Sequence, residues 1–166
     1  MDEKAVIKAL NLKPLPGEGG YFRETHRAGG SISEGHLGGR HQGDRNFSTA
    51  IYYLITPSEF SALHRLPQDE VFHFYLGDPA EIIQITPSGE MKMRILGPKI
   101  LNGQHLQLDV PGGHWQGLRV REGGHWSLLG ATVAPGFDFR DFVLADREKL
   151  LREFPKFRDE ILRLTR

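Results

Sequence analysis

From residue 47 to residue 133 the chain is a succession of short β-branched and aromatic runs, each closed by Pro, Gly or Asp, and this pattern admits few folds. Runs at 47–56, 60–66, 70–76 and 80–86 read as strands. Pro87-Ser88-Gly89 marks a tight hairpin between 83–86 and 91–96, and further strands are expected at 105–110, 115–121 and 126–133. Many short strands at close spacing predict a sandwich or a closed barrel. The two ends differ. Residues 3–10 read as a short helix with Val6, Ile7 and Leu10 on one face and Asn11 as its stop. Pro14, Pro16 and Gly17 end any helix there, and residues 21–27 look like a first strand. Residues 29–46, rich in Gly, Ser and His, read as a long flexible loop. In the helical segment 146–164, Asp146 caps a helix bearing Leu150, Leu151 and Phe154; Pro155 interrupts it, and Ile161, Leu162 and Leu164 continue a second amphipathic piece.

At 166 residues the chain suits one domain spanning 1–166. The formal net charge is zero, so no global field draws in nucleic acid or an anionic membrane, and neither is expected as a partner. Without cysteine there is no disulfide framework, no thiolate zinc site and no thiol nucleophile. The N-terminus lacks the apolar core of a secretion signal, and no run approaches the roughly 20 apolar residues of a membrane span. A cytoplasmic protein is the expectation.

The polar residues with chemical potential lie in His64-Arg-Leu-Pro-Gln-Asp-Glu70-Val-Phe-His-Phe-Tyr-Leu-Gly77. Strand alternation puts Ala62, His64 and Leu66 on one face, and Glu70, Phe72 and Phe74 on one face with His73 opposed. On its own His64 reads first as a hydrogen-bonded core histidine. The spacing of His64, Glu70 and Gly77 resembles the first cupin motif, in which a His-x-His pair, a Glu and a Gly sit on adjacent barrel strands and normally hold a metal. Pro111-Gly112-Gly113-His114-Trp115-Gln116 resembles the second motif, which supplies the last metal His. The four ligand positions here read His64, Leu66, Glu70 and Gln116, with His114 two residues from the last. A strong transition-metal site wants two or three imidazoles and a carboxylate. No tightly bound cofactor is therefore expected, and His64, Glu70 and Gln116 are candidates only for weak divalent-metal binding.

Five segments in order narrow the resemblance to the cupin-5 family (DUF985). They are Gly19-Gly20-Tyr21-Phe22-Arg23-Glu24-Thr25, Ser48-Thr49-Ala50-Ile51-Tyr52-Tyr53-Leu54, the stretch from Asp69 to Pro79, Val110 to Gln116, and Ala131-Thr132-Val133-Ala134-Pro135-Gly136-Phe137. The resemblance covers almost the whole chain. It implies an all-β double-stranded β-helix, the cupin jelly roll, usually as a homodimer, to which the residues themselves add the short N-terminal helix and C-terminal helices. Residues 21–27 are the candidate for edge pairing or exchange in such a dimer. The resemblance implies no activity, so function rests on the site.

Barrel interiors of this kind bind small molecules, and Phe72, Phe74 and Trp115 would line one with aromatic surface beside Gln116. Arg23 shares a strand face with Tyr21 and Thr25, and Tyr21-Phe22-Arg23-Glu24-Thr25 is similar to a stretch near the substrate pocket of the metal-free nucleotide-sugar 3,5-epimerases. That likeness implies a His–carboxylate pair as base and a Tyr as acid. His64 with Glu70 would supply the pair, Tyr52 or Tyr53 the acid, and Tyr21 and Arg23 the contact to an anionic ligand end. A salt bridge for Arg23 and plain strand packing for the tyrosines are the alternatives. His26, His36 and His41 match no metal spacing. The expectation is a cupin pocket for a small polar metabolite, sugar-like or anionic, with metal-independent isomerase or epimerase chemistry. A non-catalytic ligand-binding cupin and a metal-dependent enzyme with a degenerate site are the alternatives.

Overall fold

The computed structural model describes residues 2–166. Helix α1 (Glu3–Ala9) is followed by strands β1 (Lys13–Pro14), β2 (Tyr21–Arg27), β3 (Ser31–Ile32), β4 (Arg45–Asn46), β5 (Thr49–Ile55) and β6 (Ser61–Arg65). Then come β7 (Asp69–Gly77), β8 (Ala80–Ile85), β9 (Met91–Leu96), β10 (Gln107–Val110), β11 (Trp115–Val120), β12 (Ser127–Ala134) and β13 (Val143–Leu144), and the chain closes with α2 (Arg147–Glu153) and α3 (Arg158–Arg163). Two antiparallel sheets face each other, in the orders β1-β2-β5-β12-β7-β10 and β13-β6-β11-β8-β9. Successive strands from β5 to β8, and again from β10 to β13, alternate between the sheets. That alternation is the double-stranded β-helix that the family resemblance implied. Strand β2 pairs with β5 along one side, and the two-residue β1 covers its other side at Tyr21 and Phe22, leaving residues 23–27 unpaired on that side within the chain.

Three apolar layers follow from the two-residue period of the strands. Between the sheets lie Tyr53, Ile55, Phe72, Ile82, Leu118 and Leu129. On the outside of the five-stranded sheet, Leu63, Ile83, Ile85 and Trp115 pack under Leu150, Phe154, Ile161 and Leu164 of the C-terminal helices. Strand β8 is therefore apolar on both faces, with Ile82 inward and Ile83 and Ile85 outward. On the outside of the six-stranded sheet, Val6 of α1 joins Leu12, Leu54, Trp126 and Leu128. The helix starts are capped by carboxylates, Asp2 accepting from the Ala5 N–H and Asp146 from the Lys149 N–H, both at 2.8 Å.

Residues 29–46, which the sequence reads as a long flexible loop, hold short regular elements. They carry the β3–β4 ribbon and a short 3₁₀ turn at Glu34–His36. Arg45 is only 2% exposed. It donates in a fork to Asp141 at 2.7 and 2.6 Å, while its Nη1 donates to the carbonyls of Gln42, Gly43 and Asp44, each at 2.9 Å. Asp141 also accepts from His41 Nδ1 at 3.0 Å and Gln68 Nε2 at 2.7 Å. Composition could not foretell this, because the partner lies about a hundred residues away.

Removing one member of a buried ion pair leaves the other uncompensated, which costs more than the pair itself contributes. Asp141→Asn should lower stability by about 3 kcal/mol in denaturant titration, whereas Arg163→Ala, at an exposed pair, should change it by less than about 1 kcal/mol. Equal small effects would show that the Arg45–Asp141 centre does not hold this segment.

Candidate functional site

A cavity of about 280 Å³ opens between the sheets. Its walls include Phe22, Thr49, Ile51, Tyr53, His64, Leu66, Glu70 and Phe72. His64 on β6 and Gln116 on β11 are direct partners in the sheet register, and Glu70 reaches them from β7 in the opposite sheet. His64 is 3% exposed and Glu70 7%. Gln116 Nε2 donates to Glu70 Oε2 at 2.7 Å. The Gln116 Oε1 atom is buried without a partner among the described residues.

The protonation pattern of His64 is set by its neighbours. Its Nδ1 lies 2.8 Å from the Ala62 carbonyl oxygen. A carbonyl only accepts, so Nδ1 carries the hydrogen. In the neutral ring Nε2 then holds the lone pair, and it makes no hydrogen bond with any described residue. The ring stacks on Phe142 with centroids 5.2 Å apart. The nearest carboxylate oxygen to Nδ1 is Glu18 Oε1 at 3.9 Å, and Ser61 Oγ donates to that same oxygen at 2.6 Å. Tyr53 donates its hydroxyl proton to the Gly19 carbonyl at 2.8 Å.

Glu18 enters the cavity from the turn between β1 and β2, not from a strand. Gly19 and Gly20 follow it with φ of +99° and +72°. A Cβ on Gly20 would lie 2.7 Å from the Tyr53 ring. Only glycine permits this left-handed, close-packed turn, and the turn is what aims Glu18 inward. Alternation along strands cannot reveal such a residue; the Gly-Glu-Gly-Gly run is the one signal in the sequence.

Burial raises the Glu70 carboxyl from 4.5 to about 7. Attraction to His64 opposes that shift, the nearby Glu18 carboxylate adds to it, and the Gln116 hydrogen bond moderates it. Burial also pushes the Tyr53 hydroxyl well up, so it stays protonated. At the more exposed end, Arg27 is consumed by Glu24 in a fork at 2.9 and 2.8 Å and by Asn46 and the Phe137 carbonyl. Among the charged groups of an otherwise apolar lining, carboxylates outnumber cations.

Several sequence-derived candidates lie elsewhere. Arg23 is on the outer face, its guanidinium 5.3 Å above the Tyr52 ring, and Tyr52 meets Tyr75 edge-on at 5.8 Å. Tyr21 packs with the α1 cluster. Strand β2 turns Phe22 and Glu24 inward, and an irregularity between Glu24 and His26 brings Arg27 to the same side. Arg23 therefore points away from the ligand space assigned to it. Trp115 is also outside, under the C-terminal helices with Arg65 4.7 Å over its ring. It adjoins Gln116 in a strand, so the two must face opposite sides. Phe74 packs against the interior cluster without lining the cavity, and Phe72 lines it. Glu70 does not hydrogen-bond His64; the Ala62 carbonyl orients that ring instead.

The residues do not fit a transition-metal centre. One imidazole is available, Leu66 offers only methyl groups, and the Gln116 amide turns its N–H toward Glu70. Among the described residues no three His, Asp or Glu side chains converge to hold an ion. No helix among them is long and apolar enough to cross a membrane.

Comparison with known proteins gives this geometry a lineage. The family described as cupin superfamily (DUF985) matches residues 4–145. An uncharacterised protein of Saccharomyces cerevisiae is 31% identical over 143 residues, covering 81% of this chain and 71% of its own length. A hypothetical protein of Leishmania major superposes with a TM-score of 0.90 at 31% identity over 99% of both chains. A protein of Shewanella oneidensis gives 0.89 at 32% identity over 100% of this chain and 98% of its own. Oxalate decarboxylase of Bacillus subtilis, a protein with Mn(II) centres, shares the fold at 15% identity and a TM-score of 0.54, over 93% of this chain and 37% of its own.

The raised Glu70 carboxyl has a consequence for stability. The folded state holds the Glu70 proton up to about pH 7 while the unfolded chain releases it near 4.5. Stability from this group is full below the unfolded value and is lost as pH rises through the folded one, in total by about 3 kcal/mol. The melting temperature should fall between about pH 4.5 and about pH 7, and Glu70→Gln should flatten that fall. An identical pH profile for the variant would show that Glu70 titrates normally.

Proposed function

The chain belongs to the DUF985 family of the cupin superfamily, and we propose that its barrel binds a small, hydroxyl-rich metabolite and moves a proton on it without a metal. The observation that carries this reading is the enclosed pairing of an unengaged His64 Nε2 with a Glu70 carboxyl that titrates near 7. A base and an acid within one apolar-walled cavity suit proton abstraction from a carbon next to a carbonyl, as in an isomerase or epimerase. His64 Nε2 takes the proton. The Ala62 carbonyl fixes its tautomer and Phe142 its plane. Glu70, in its protonated form, donates to the oxygen that gains charge, and Gln116 holds it in place. Tyr53 contributes shape and a fixed dipole, since its proton is engaged by Gly19.

The lining also selects the ligand. Glu18, Glu24, Glu70 and Asp138 border the cavity; Glu24 is paired with Arg27 and Asp138 with Arg140, so Glu18, beside Glu70, is the carboxylate left without an arginine or lysine partner among the described residues. A neutral, hydroxyl-bearing molecule can donate to these carboxylates, whereas a carboxylate or phosphate would be repelled. The sugar-like half of the original expectation is therefore preferred to the anionic half.

A thermal-shift screen of neutral sugars, polyols and keto sugars would identify a ligand. Incubated in D₂O, the wild type should exchange one carbon-bound hydrogen of that ligand. His64→Asn should lose exchange by at least about a hundredfold while binding within a few-fold, because proton transfer matters chiefly in the transition state. Exchange that survives in His64→Asn would rule out this base, and binding without any exchange in the wild type would leave a plain binding protein.

We further propose a homodimer. The C-terminal helices cover one sheet, but the other sheet leaves an apolar groove of Val6, Leu10, Tyr52, Tyr75, Leu76 and Leu128. Tyr75 and Leu76 are 45% and 48% exposed. A second copy related by a two-fold axis is the commonest cover for such a face. Light scattering should give a dimer mass, and Leu76→Arg a monomer; a monomeric wild type at all concentrations would refute the proposal.

A further inference from the structure

A second pocket, of about 300 Å³, has the opposite electrical character. Arg40, Arg65 and Arg140 converge on it from positions far apart in the chain. Arg40 comes from the loop after the β3 ribbon strand, Arg65 from the end of β6, and Arg140 from the turn before β13. The carboxylate on its wall is Asp141, and both its oxygens are taken up by Arg45, His41 and Gln68. Asp141 and Arg45 cancel, so neither repels an incoming anion. Asp138 neutralises Arg140 through a fork at 2.9 and 2.7 Å. Arg40 and Arg65 pair with no carboxylate among the described residues. The pocket is therefore left with two uncompensated guanidinium groups.

The arrangement is also built. Arg65 lies 4.7 Å over the Trp115 ring, a contact that fixes its plane while leaving its N–H edge free. Arg140 lies against the 40–43 loop, since a Cβ on Gly43 would sit 2.8 Å from its Nη1. That loop is itself fastened by Arg45, which donates to three successive carbonyls. One buried ion centre thus sets the spacing of Arg40 and Arg140.

We propose that this pocket is an oxyanion site that takes the phosphate group of a small phosphorylated metabolite. Guanidinium forks match the oxygens of phosphate in both geometry and charge, and the volume exceeds what a bare phosphate ion fills. Leu66 lines both this pocket and the barrel cavity, so the two sites share a wall. They divide by charge: the barrel is lined by carboxylates and the outer pocket by arginines. The inference stands on its own residues and does not require turnover in the barrel.

The test titrates inorganic phosphate and phenyl phosphate, in separate arms, into the full-length protein at constant low ionic strength set with chloride. Binding is followed by NMR shifts of the arginine Nε–H groups. Both probes should saturate with shifts at Arg40, Arg65 and Arg140, and phenyl phosphate should bind more tightly. Arg65→Gln should weaken binding about tenfold, the scale of one charge-assisted hydrogen bond. Arg40→Gln should do the same, and because Arg40 makes no side-chain hydrogen bond or ion pair with a described residue, this variant keeps the test open if Arg65→Gln folds poorly. Raised salt should weaken all of these together. No saturation in the wild type, unchanged affinity in Arg40→Gln, or shifts centred on Arg27 at the barrel cavity would overturn the site. Equal or tighter binding of inorganic phosphate would overturn its assignment to a phosphorylated metabolite.

Discussion

The hydrogen bond from Gln116 to Glu70, 2.7 Å long, crosses from one sheet to the other inside the barrel. Enclosing a carboxyl between two apolar sheets costs several kcal/mol unless a donor meets it. Gln116 is that donor, and the register of β11 against β6 puts it beside His64. Strand β12, paired with both β5 and β7, holds the opposite wall so that Glu70 arrives at the right height. The site is therefore a product of sheet closure. A slip of one residue in β11 would exchange Gln116 for Trp115 and fill the interior with indole.

Keeping one proton acceptor and one near-neutral carboxyl in the same enclosure has an electrostatic cause. Two carboxyls, Glu18 and Glu70, approach a single imidazole. Burial penalises the second charge, and Glu18 penalises it further. Leu66 contributes by what it omits, because an imidazole there would compete for Glu70 and invite a metal. At the mouth of the cavity the arginine–carboxylate pairs Arg27–Glu24 and Arg140–Asp138 are closed among themselves. Positive charge stands on the far side of Leu66, where Arg40 and Arg65 pair with no carboxylate among the described residues.

Much of this was legible in the sequence, for physical reasons. Short β-branched runs separated by turn residues specify a closed β architecture, and the spacing of His64, Glu70 and Gln116 identified three side chains that do meet in the interior. Glu18 escaped notice because a left-handed glycine turn, rather than strand alternation, aims it. Arg23 and Tyr21 were assigned to the wrong face because β2 presents Phe22 and Glu24 inward, and nothing local fixes which parity faces the core. Trp115 could have been excluded from alternation alone once Gln116 was placed inside. The order in residues 29–46 depends on Asp141, a partner too distant in sequence for composition to reveal.

The central claim is that this barrel carries out acid–base chemistry without a metal, on a carboxyl held near its neutral transition. The most direct measurement is the ¹³C chemical shift of the Glu70 carboxyl followed against pH, with and without millimolar zinc. The account predicts a midpoint near 7 that zinc leaves in place. A midpoint near the ordinary carboxylate value, or one that zinc pulls sharply down, would contradict it.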